Sequence, residues 1–506
     1  MCRAAIHART YGDRVTFKHP DPASLPRNAL IIGEQRIEKG RGEVHQHIYP
    51  GTGRVTRELI LANAADADLA VSAARAAFPA WRALSGDKRR DLMLKVAALC
   101  EQHMQELGLL STIENGAISA AAPFHALDAA QKFRYCGGWA DKIQGVVVPT
   151  WFGPAHDYVT YEPYGVVGAI IPWNGPLYAA TMVAAPALAA GNCVVLKAPE
   201  LAPWSVMRLG ELFLEAGFPP GVVNIIAGGA DVGAAMTAHP GIDKIQFVGS
   251  GAVAKKVLKS AAETLKPCGL ELGGKSAVIV FDDADLIDAT RRGLSGAISA
   301  NGQGCVIGTR LLVQRTIYNE YLEALTAAAK AVNVGDPFEK ATGLGPVISE
   351  ASLERILGII NQAKKEGGQV VTGGERLRGK FAEGFFLPVT IVADVNNQSS
   401  IAQHEVFGPV LAAIPFDDEE EAIALANGTE YGLGAYIHTQ NLRRAHHVAS
   451  QLDAGQIQVN ASGEAMVACV PFGGVKQSGY GRLGGEAGLQ EFLRIKNVYM
   501  NLTKRA

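Results

Sequence analysis

The fold is decided by four short runs, VVGAIIPW (166–173), NCVVLKAP (192–199), VNIIAG (223–228) and KIQFVGS (244–250). Segments with apolar residues at helical spacing lie between and after them, as over 205–216. Strands that are apolar throughout and alternate with helices indicate a parallel sheet that is covered on both faces.

A second series of the same kind begins at Ser276 with SAVIVFDDAD. It continues with a helical pattern over 285–300, the strand TRLLVQ (309–314), and helical patterns over 318–332 and 353–365. We therefore predict an α/β fold with two parallel-sheet domains that meet near residue 272.

Upstream of both series, a strand-like run at 29–37 precedes two amphipathic helices predicted over 66–81 and 87–110. Two more β-rich pieces, 142–163 and 492–502, fit neither sheet. We expect them to pair into an arm whose exposed edge accepts a partner subunit, with two ordinary surface hairpins as the alternative.

Composition excludes several function classes. The chain has 506 residues, 48% hydrophobic and 19% charged, which is too apolar for a disordered protein. A formal charge of −2 predicts no nucleic-acid partner and no anionic membrane surface. The longest apolar stretch, 177–190, contains a proline and is shorter than the roughly 20 residues of a membrane span. Seven cysteines without a CxxC pair predict neither disulfides nor zinc, so we expect a soluble cytoplasmic protein without a metal.

Two glycine motifs point to different nucleotides. Gly249-Ser250-Gly251 follows a predicted strand and opens a helix that continues through Ala254, which fits the dinucleotide-binding pattern. That template assigns the ribose to Glu271, about 20 residues on. Residues 269–276 also match the P-loop of nucleotide triphosphatases, but they follow a helix and lead into a strand, the reverse of the P-loop order.

Cys305 differs from the other cysteines in its surroundings. It lies in Asn301-Gly302-Gln303-Gly304-Cys305, a glycine-rich turn between a predicted helix and a predicted strand. A thiol on such a turn is reachable by substrate, whereas a free cysteine is more often a small buried side chain. Cys305 is therefore a candidate nucleophile.

Together these residues resemble the aldehyde dehydrogenase superfamily along nearly the whole chain. The matching segments are GGWADKIQG (137–145), EPYGVVGAIIPWN (162–174), GNCVVLKAPE (191–200), FPPGVVNIIAG (218–228), IQFVGS (245–250), LELGGKSAVIV (270–280), NGQGCVIGTR (301–310), EVFGPVL (405–411), NGTEYGLGA (427–435) and PFGGVKQSGYGR (471–482). The resemblance implies oxidation of an aldehyde to a carboxylic acid with NAD or NADP.

The resemblance also implies the catalytic roles. Cys305 resembles the nucleophile that forms a thiohemiacetal and then a thioester, and Asn174 resembles the donor to the oxyanion, acting with the Cys305 N–H. Glu271 resembles the base that activates water to hydrolyse the thioester, so the ribose assignment above is abandoned. Relatives that transfer the acyl group to coenzyme A generally lack this base, which favours hydrolysis here.

The cofactor assignments follow in the same way. Lys197 and Glu200 resemble the residues that bind the adenosine ribose, and a carboxylate there favours NAD over NADP by repelling a 2′-phosphate. The remaining cofactor positions are Gly249 and Ser250 at the pyrophosphate, Trp173 beside it, Glu405 at the nicotinamide ribose and Phe407 at the nicotinamide ring.

The resemblance implies a Rossmann-like NAD-binding domain (1–140 and 161–271), a catalytic domain (272–478) and an oligomerisation arm (141–160 and 479–506). We expect a homodimer or homotetramer. Lys275 and Lys476 also fall in family motifs, and we expect structural roles for them. Cys469 is either a thiol near the substrate tunnel or, as we expect, a packed side chain.

The substrate prediction depends on small side chains. Gly175 stands where many relatives carry phenylalanine, and Ala179 and Met182 stand where some carry bulkier residues. We therefore expect a bulky hydrophobic or aromatic aldehyde. A semialdehyde is the alternative within the superfamily; a nucleotide triphosphatase and a non-catalytic scaffold are the alternatives outside it.

Overall fold

The computed structural model describes residues 17–151, 153–463 and 466–503, so Cys2 lies outside the described residues. The helices are α1 Ala64–Ala83, α2 Gly86–Gln102, α3 Met104–Asn115, α4 Pro123–Gly137, α5 Pro176–Ala189, α6 Trp204–Glu215, α7 Ala230–Ala238, α8 Gly251–Ala262, α9 Leu286–Ile298, α10 Tyr318–Ala331, α11 Glu350–Lys365, α12 Ser400–Gln403, α13 Glu419–Asn427, α14 Leu442–Gln451 and α15 Gly485–Gln490.

The strands are β1 Leu30–Ile32, β2 Gln35–Ile37, β3 Val44–Tyr49, β4 Arg54–Ile60, β5 Val146–Val148, β6 Ala155–Pro163, β7 Val166–Ile170, β8 Cys193–Pro199, β9 Val223–Gly228, β10 Lys244–Val248, β11 Cys268–Glu271, β12 Ala277–Val280, β13 Arg310–Gln314, β14 Gln369–Thr372, β15 Thr390–Ala393, β16 Val410–Phe416, β17 Tyr431–Gly432, β18 Gly434–His438, β19 Gln456–Val459, β20 Val475–Lys476, β21 Gly479–Tyr480 and β22 Leu493–Asn501.

The first sheet has the order β2-β1-β9-β8-β7-β10-β11-β21. Its central strands β9 to β11 are parallel, and β1, β2 and β21 pair antiparallel at its edges. β7 and β8 are buried along their whole length because helices cover both faces. The four runs that predicted a parallel sheet therefore supply its centre.

The second sheet has the order β14-β15-β16-β13-β12-β18-β19, and it is parallel except for β14. Two separate clusters of buried apolar side chains lie against it, as expected for a sheet packed on both faces. These two sheets confirm the predicted α/β fold.

A third, small sheet contains the two pieces that fitted neither large sheet. β22 pairs antiparallel with β6 over nine residues, from Leu493 opposite Pro163 to Asn501 opposite Ala155, and β5 pairs with the other side of β6. Gly479–Tyr480 instead pair with Leu270–Glu271 in the first sheet, so the strand pairing does not follow the boundary predicted at residue 479. The domain boundaries as a whole stay a prediction.

Two local predictions were wrong. The helix predicted over 87–110 is broken into α2 and α3, because the backbone of His103 (φ −99°, ψ 18°) leaves the helical conformation. The run 29–37 is a hairpin rather than one strand, since Gly33 turns the chain with a φ of 61°. In the described part of the chain, no helix is both long and apolar enough to cross a membrane.

Candidate active site

The strand order creates a crevice beside β7. From β7 the chain builds outward through β8 to β9, and β10 and β11 lie on the opposite side of β7. In such sheets ligands bind at the carboxyl ends of the strands where the order reverses. Trp173 and Asn174 follow the carboxyl end of β7, and Gly249 and Ser250 follow that of β10, so the topology brings these predicted residues to one edge.

The turn that carries Cys305 has an unusual backbone. Ala300, Asn301 and Gly302 have φ values of 49°, 55° and 74°, in the left-handed region that asparagine and glycine tolerate best. The buried amide of Asn301 stabilises the turn by donating to the carbonyls of Gly116 (2.9 Å) and Pro346 (3.0 Å). Sequence reasoning missed this role of Asn301, for which the NG pair was the available signal.

Asn174 contacts the same turn directly. Its side-chain amide donates a hydrogen bond of 2.8 Å to the backbone carbonyl of Gln303. The amide of Asn115 on α3 donates to the carbonyls of Trp173 (3.2 Å) and Asn174 (3.3 Å), which orients this segment. The loop after β7 is thereby joined to the residues that precede Cys305.

The thiol of Cys305 is half-buried, and its pKa is raised to about 12. Burial is the main cause, followed by the negative charges of Glu405 and Glu271; the N–H groups of Cys305 and Val306 act in the opposite direction. At neutral pH this environment favours the protonated thiol, so forming a thiolate requires additional positive charge nearby.

Glu271 is a buried carboxylate at the end of β11. Among the described residues, neither of its carboxylate oxygens has a hydrogen-bond partner. Burial raises its pKa well above the ordinary value, with Arg482 lowering it and Glu491 raising it. A Cβ on Gly473 would lie 2.8 Å from Glu271 Oε1, so a side chain there would crowd the carboxylate. Sequence reasoning missed Arg482, which is far away in the sequence.

Lys197 and Glu200 lie at the carboxyl end of β8. The Lys197 ammonium donates to the Gly228 carbonyl and lies 3.4 Å from Glu200 Oε2. Burial lowers the pKa of Lys197. The Glu200 side chain is 36% exposed, which leaves its carboxylate accessible to the hydroxyl groups of a ribose.

The N-terminus of α8 has the form of an anion site. The Ser250 side chain makes no capping hydrogen bond, and a Cβ on Gly251 would meet nothing within 4 Å. The first backbone N–H groups of the helix are therefore approachable by a pyrophosphate. Gly249 is required beside them because a Cβ there would lie 2.6 Å from the Phe247 ring.

Glu405 and Phe407 approach from the second sheet. Glu405 Oε1 accepts a hydrogen bond of 3.1 Å from the Gly274 N–H, and burial raises the pKa of Glu405 to about 7. Phe407 has a φ of 53°, and its ring meets that of Trp173 edge to face at 5.5 Å. Glu405 and Phe407 therefore contact the loops that follow β11 and β7, at the edge of the first sheet where Gly249 and Ser250 also lie. The donors, carboxylates and aromatic rings of these residues fit NAD.

Lys275 and Lys476, which were predicted to be structural, both make hydrogen bonds within the protein. Lys275 is buried and donates to Thr309 Oγ1 (3.2 Å), and Lys476 donates to the Asn427 carbonyl (2.9 Å). Cys469 is exposed, beside residues that line a cleft described next. In the described part of the chain, no group of three or more His, Cys, Asp or Glu side chains could hold a metal ion.

Two openings flank the predicted catalytic residues. The Asn174 cavity is lined by residues that include Asn115, His125, Asn174, Ser299, Asn301 and Gln303. A narrower cleft, called the Tyr178 cleft, is lined by residues that include Lys132, Cys136, Tyr178, Met182, Met466 and Phe472. Apolar surface predominates in both openings.

Comparison with known proteins gives the class of this fold and site. The model of the aldehyde dehydrogenase family matches residues 37–498. An aldehyde dehydrogenase of Alternaria alternata is 42% identical over 94% of this chain and 95% of its own length. A betaine aldehyde dehydrogenase of Sinorhizobium fredii is 38% identical over 95% of this chain and 98% of its own length. The chain belongs to the aldehyde dehydrogenase family.

The structural comparison agrees. An aldehyde dehydrogenase of Bacillus cereus, solved as an NAD⁺ complex, superposes with a TM-score of 0.92 at 38% identity, covering 97% of this chain and 100% of the other. The protein is thus an NAD-dependent oxidoreductase that oxidises aldehydes. The triphosphatase alternative was wrong: residues 269–276 run from β11 to β12 rather than from a strand into a helix.

Proposed function

We propose that this enzyme oxidises a bulky hydrophobic or aromatic aldehyde to its carboxylic acid through a covalent adduct on Cys305. The observation that carries the mechanism is the hydrogen bond from Asn174 to the Gln303 carbonyl, which holds the predicted oxyanion donor beside the predicted nucleophile. The buried Glu271 carboxylate, which has no hydrogen-bond partner among the described residues, supports the third role, that of the base.

The chemistry proceeds in two stages. The Cys305 sulfur attacks the aldehyde carbon, so that a C–S bond forms and the carbonyl oxygen becomes an oxyanion that accepts from the Asn174 amide and the Cys305 N–H. When bound, NAD supplies the acceptor for the hydride that leaves this carbon. Glu271 then takes a proton from water, the water oxygen attacks the resulting thioester, and the C–S bond breaks to release the acid and the thiolate.

The crevice supports the proposed cofactor assignments. Ser250 and Gly249 would receive the pyrophosphate at the N-terminus of α8, and Lys197 with Glu200 would bind the adenosine ribose. Glu405 and Phe407 would bind the nicotinamide riboside, with Trp173 packed against the Phe407 ring. Trp173 directly precedes Asn174 in the sequence, so it connects the residues proposed to bind the nicotinamide with the proposed oxyanion donor.

The small residue Gly175 bears on the size of the substrate. A Cβ at this position would meet only Tyr178 Cβ, at an ordinary contact of 3.6 Å. The backbone of Gly175 (φ −154°) is also one that a larger residue can adopt. The small residue is therefore not required by the backbone, which supports its role in keeping space open beside Asn174.

A second candidate concerns the charge of the substrate. The relative from Sinorhizobium fredii is named a betaine aldehyde dehydrogenase, so betaine aldehyde belongs in the test panel. The semialdehyde alternative predicts an anionic substrate instead. The two candidates differ in the sign of the charge that the substrate carries at the end remote from the aldehyde.

Oligomerisation is proposed through the arm formed by β5, β6 and β22. The side chains of Val147, Trp151 and Ile495 are 67%, 88% and 69% exposed there, which is unusual for large apolar residues. We expect light scattering to give a dimer or tetramer. A monomer at micromolar concentration would contradict this proposal.

The function is tested by following NADH absorbance over a panel of acetaldehyde, benzaldehyde, a long-chain aldehyde and betaine aldehyde. We expect the highest kcat/KM with a bulky uncharged or aromatic aldehyde, and no turnover with Cys305→Ala. Cys469→Ala, another non-disulfide thiol, is the matched control and should retain activity. Turnover that survives Cys305→Ala would refute the nucleophile, and a preference for acetaldehyde would refute the substrate class.

A further inference from the structure

One face of α4 carries polar side chains that the mechanism does not use. His125, Lys132 and Cys136 are spaced by seven and four residues, which places them on one side of the helix. His125 lines the Asn174 cavity, and Lys132 and Cys136 line the Tyr178 cleft. This face of α4 therefore borders both openings.

Lys132 is the unusual member of this face. Its side chain is only 8% exposed, and its ammonium donates to the Asp128 carboxylate one turn earlier. The same nitrogen lies 3.6 Å from the centroid of the Tyr178 ring. A lysine is rarely buried, because removing an ammonium from water costs several kcal/mol unless it is well paired.

Tyr178 connects this lysine with the catalytic residues. Burial raises the pKa of Tyr178, and the negative charges of Asp128, Cys305 and Glu271 raise it further, so the phenol is within electrostatic reach of all three. Cys305, Tyr178 and Met466 also pack against the same apolar core. A Cβ on Gly175, the residue after Asn174, would lie 3.6 Å from Tyr178 Cβ, so the Tyr178 cleft begins beside the loop that carries the predicted oxyanion donor.

Among the described residues, some polar groups on this face of α4 have hydrogen-bonding capacity left over. An ammonium has three N–H bonds, and among the described residues Lys132 has one carboxylate and one aromatic ring as partners. His125 Nδ1 is buried without a hydrogen-bond partner in the same part of the chain. Asp128 is more exposed than Lys132, at 23%, so it keeps more of its hydration.

We propose that Lys132 determines substrate specificity by binding a carboxylate at the end of the substrate remote from the aldehyde. This inference rests on the proposed function and narrows it to bulky or aromatic aldehydes that also carry an acid group. A carboxylate placed in the cleft would accept from the free N–H bonds of Lys132, in a charge-assisted hydrogen bond.

The same arrangement disfavours the other two substrate types. A cationic group would be repelled by the ammonium, and the face of Tyr178 that would otherwise attract it is already occupied by Lys132. A wholly apolar group would bury Lys132 further without giving it a new acceptor. Discrimination therefore comes from repulsion as well as attraction.

The first test compares three substrates in the wild-type enzyme: 4-carboxybenzaldehyde, 4-isopropylbenzaldehyde and 4-(trimethylammonio)benzaldehyde. They share one ring and one reacting group, so they differ mainly in remote charge. We expect kcat/KM to fall in that order, by about 10- to 100-fold between the acid and the neutral compound, mostly through KM. Equal values for the acid and the neutral compound, or a preference for the cation, would overturn the proposal.

The second test uses Lys132→Met, which keeps most of the side-chain volume, and Asp128→Asn/Lys132→Met, which avoids an unpaired Asp128. In both variants the ratio of kcat/KM for the acid to that for the neutral aldehyde should fall towards unity. Lys142→Met, at an exposed lysine just beyond α4, is the matched control and should keep the preference. A preference that survives in both Lys132 variants would refute the role of Lys132.

A third measurement is independent of turnover. Titration calorimetry with terephthalate, a non-reactive dicarboxylate, should show binding to the wild type and about 10-fold or more weaker binding to Lys132→Met. Equal affinity for the two proteins would overturn the proposal. If no aldehyde is oxidised by the wild type at all, the proposed function itself has failed, which is a different outcome from the loss of charge discrimination.

Discussion

The side-chain amide of Asn174 donates a hydrogen bond of 2.8 Å to the backbone carbonyl of Gln303, two residues before Cys305. The two residues are 129 positions apart in the sequence, and they lie in loops that adjoin strands of different sheets. This contact joins the loop after β7 to the turn before β13. The proposed role of Asn174 as the oxyanion donor beside Cys305 depends on this hydrogen bond.

Asn174→Ala should lower kcat by about 10²- to 10³-fold with little change in KM, because an oxyanion donor acts mainly in the transition state. Steady-state NADH formation measures this. Asn115→Ala is the control, since Asn115 orients the same loop but is not proposed to contact substrate, and its loss should be smaller. Similar effects of the two substitutions would assign Asn174 a structural role.

Glu271→Gln should convert steady turnover into a burst, because the acyl group would reach Cys305 but water would not be activated to remove it. Mass spectrometry of the Cys305 peptide should then show an increase equal to the acyl group. Glu491→Gln is the comparison variant: it removes a charge that raises the pKa of Glu271, and the ion pair of Glu491 with Lys244 (2.7 Å), but leaves the Glu271 carboxylate in place. A Glu271→Gln enzyme with wild-type turnover and no acylated peptide would rule out the proposed base.

Activity should rise with pH between about 6 and 9. Cys305 and Glu271 both act in their deprotonated forms, and burial raises the pKa of each in the protein. Removing the proton becomes easier as pH rises, so kcat/KM should increase. A pH profile that is flat or falls across this range would contradict the roles of both groups.

Whereas activity should rise with pH, the contribution of Glu271 to the stability of the folded protein should fall as pH rises. Because its pKa is higher when folded than the ordinary 4.5, the folded state binds the proton more tightly. The contribution of Glu271 to stability is therefore complete below about 4.5 and is lost as pH rises towards the folded pKa. Thermal unfolding of Glu271→Gln should lack this decline, and parallel curves for the two proteins from pH 5 to 8.5 would contradict the burial of the carboxylate.

Glu200→Ser should shift cofactor preference from NAD towards NADP by about 10- to 100-fold in the ratio of kcat/KM values. The partly exposed Glu200 carboxylate would repel a 2′-phosphate, and serine removes that repulsion. The aldehyde is kept constant and saturating. Glu211→Ser, an acidic residue on α6, is the control; an unchanged ratio in Glu200→Ser would move the ribose site elsewhere.

Gly175→Phe should lower kcat/KM for aromatic aldehydes by about 10-fold or more while leaving acetaldehyde nearly unaffected. The backbone at Gly175 accepts a side chain, and the first carbon fits at 3.6 Å from Tyr178 Cβ, so the loss would come from the ring filling the entrance. Gly175→Ala should have little effect. Equal losses for both aldehydes would indicate a distorted Asn174 loop instead.

Much of the architecture was determined by local sequence. The runs at 166–173, 192–199, 223–228 and 244–250 are predominantly apolar, and a strand of that composition is stable only when both faces are covered. Gly249 and Ser250 could also be placed at a helix N-terminus from local sequence, because their glycine pattern lies between a predicted strand and a predicted helix. The ordered motifs around Cys305 and Glu271 indicated the family before any contact was known.

Only the tertiary structure decided how distant groups face one another. The pairing of Gly479–Tyr480 with β11 and the hydrogen bond from Asn174 to Gln303 depend on segments far apart in the chain. In the sequence alone, Lys132 looks like an ordinary polar residue on an amphipathic helix. Its burial against Tyr178 appears only once α4 and α5 pack together, because burial is a property of the surrounding fold and periodicity reports only the residue's own helix.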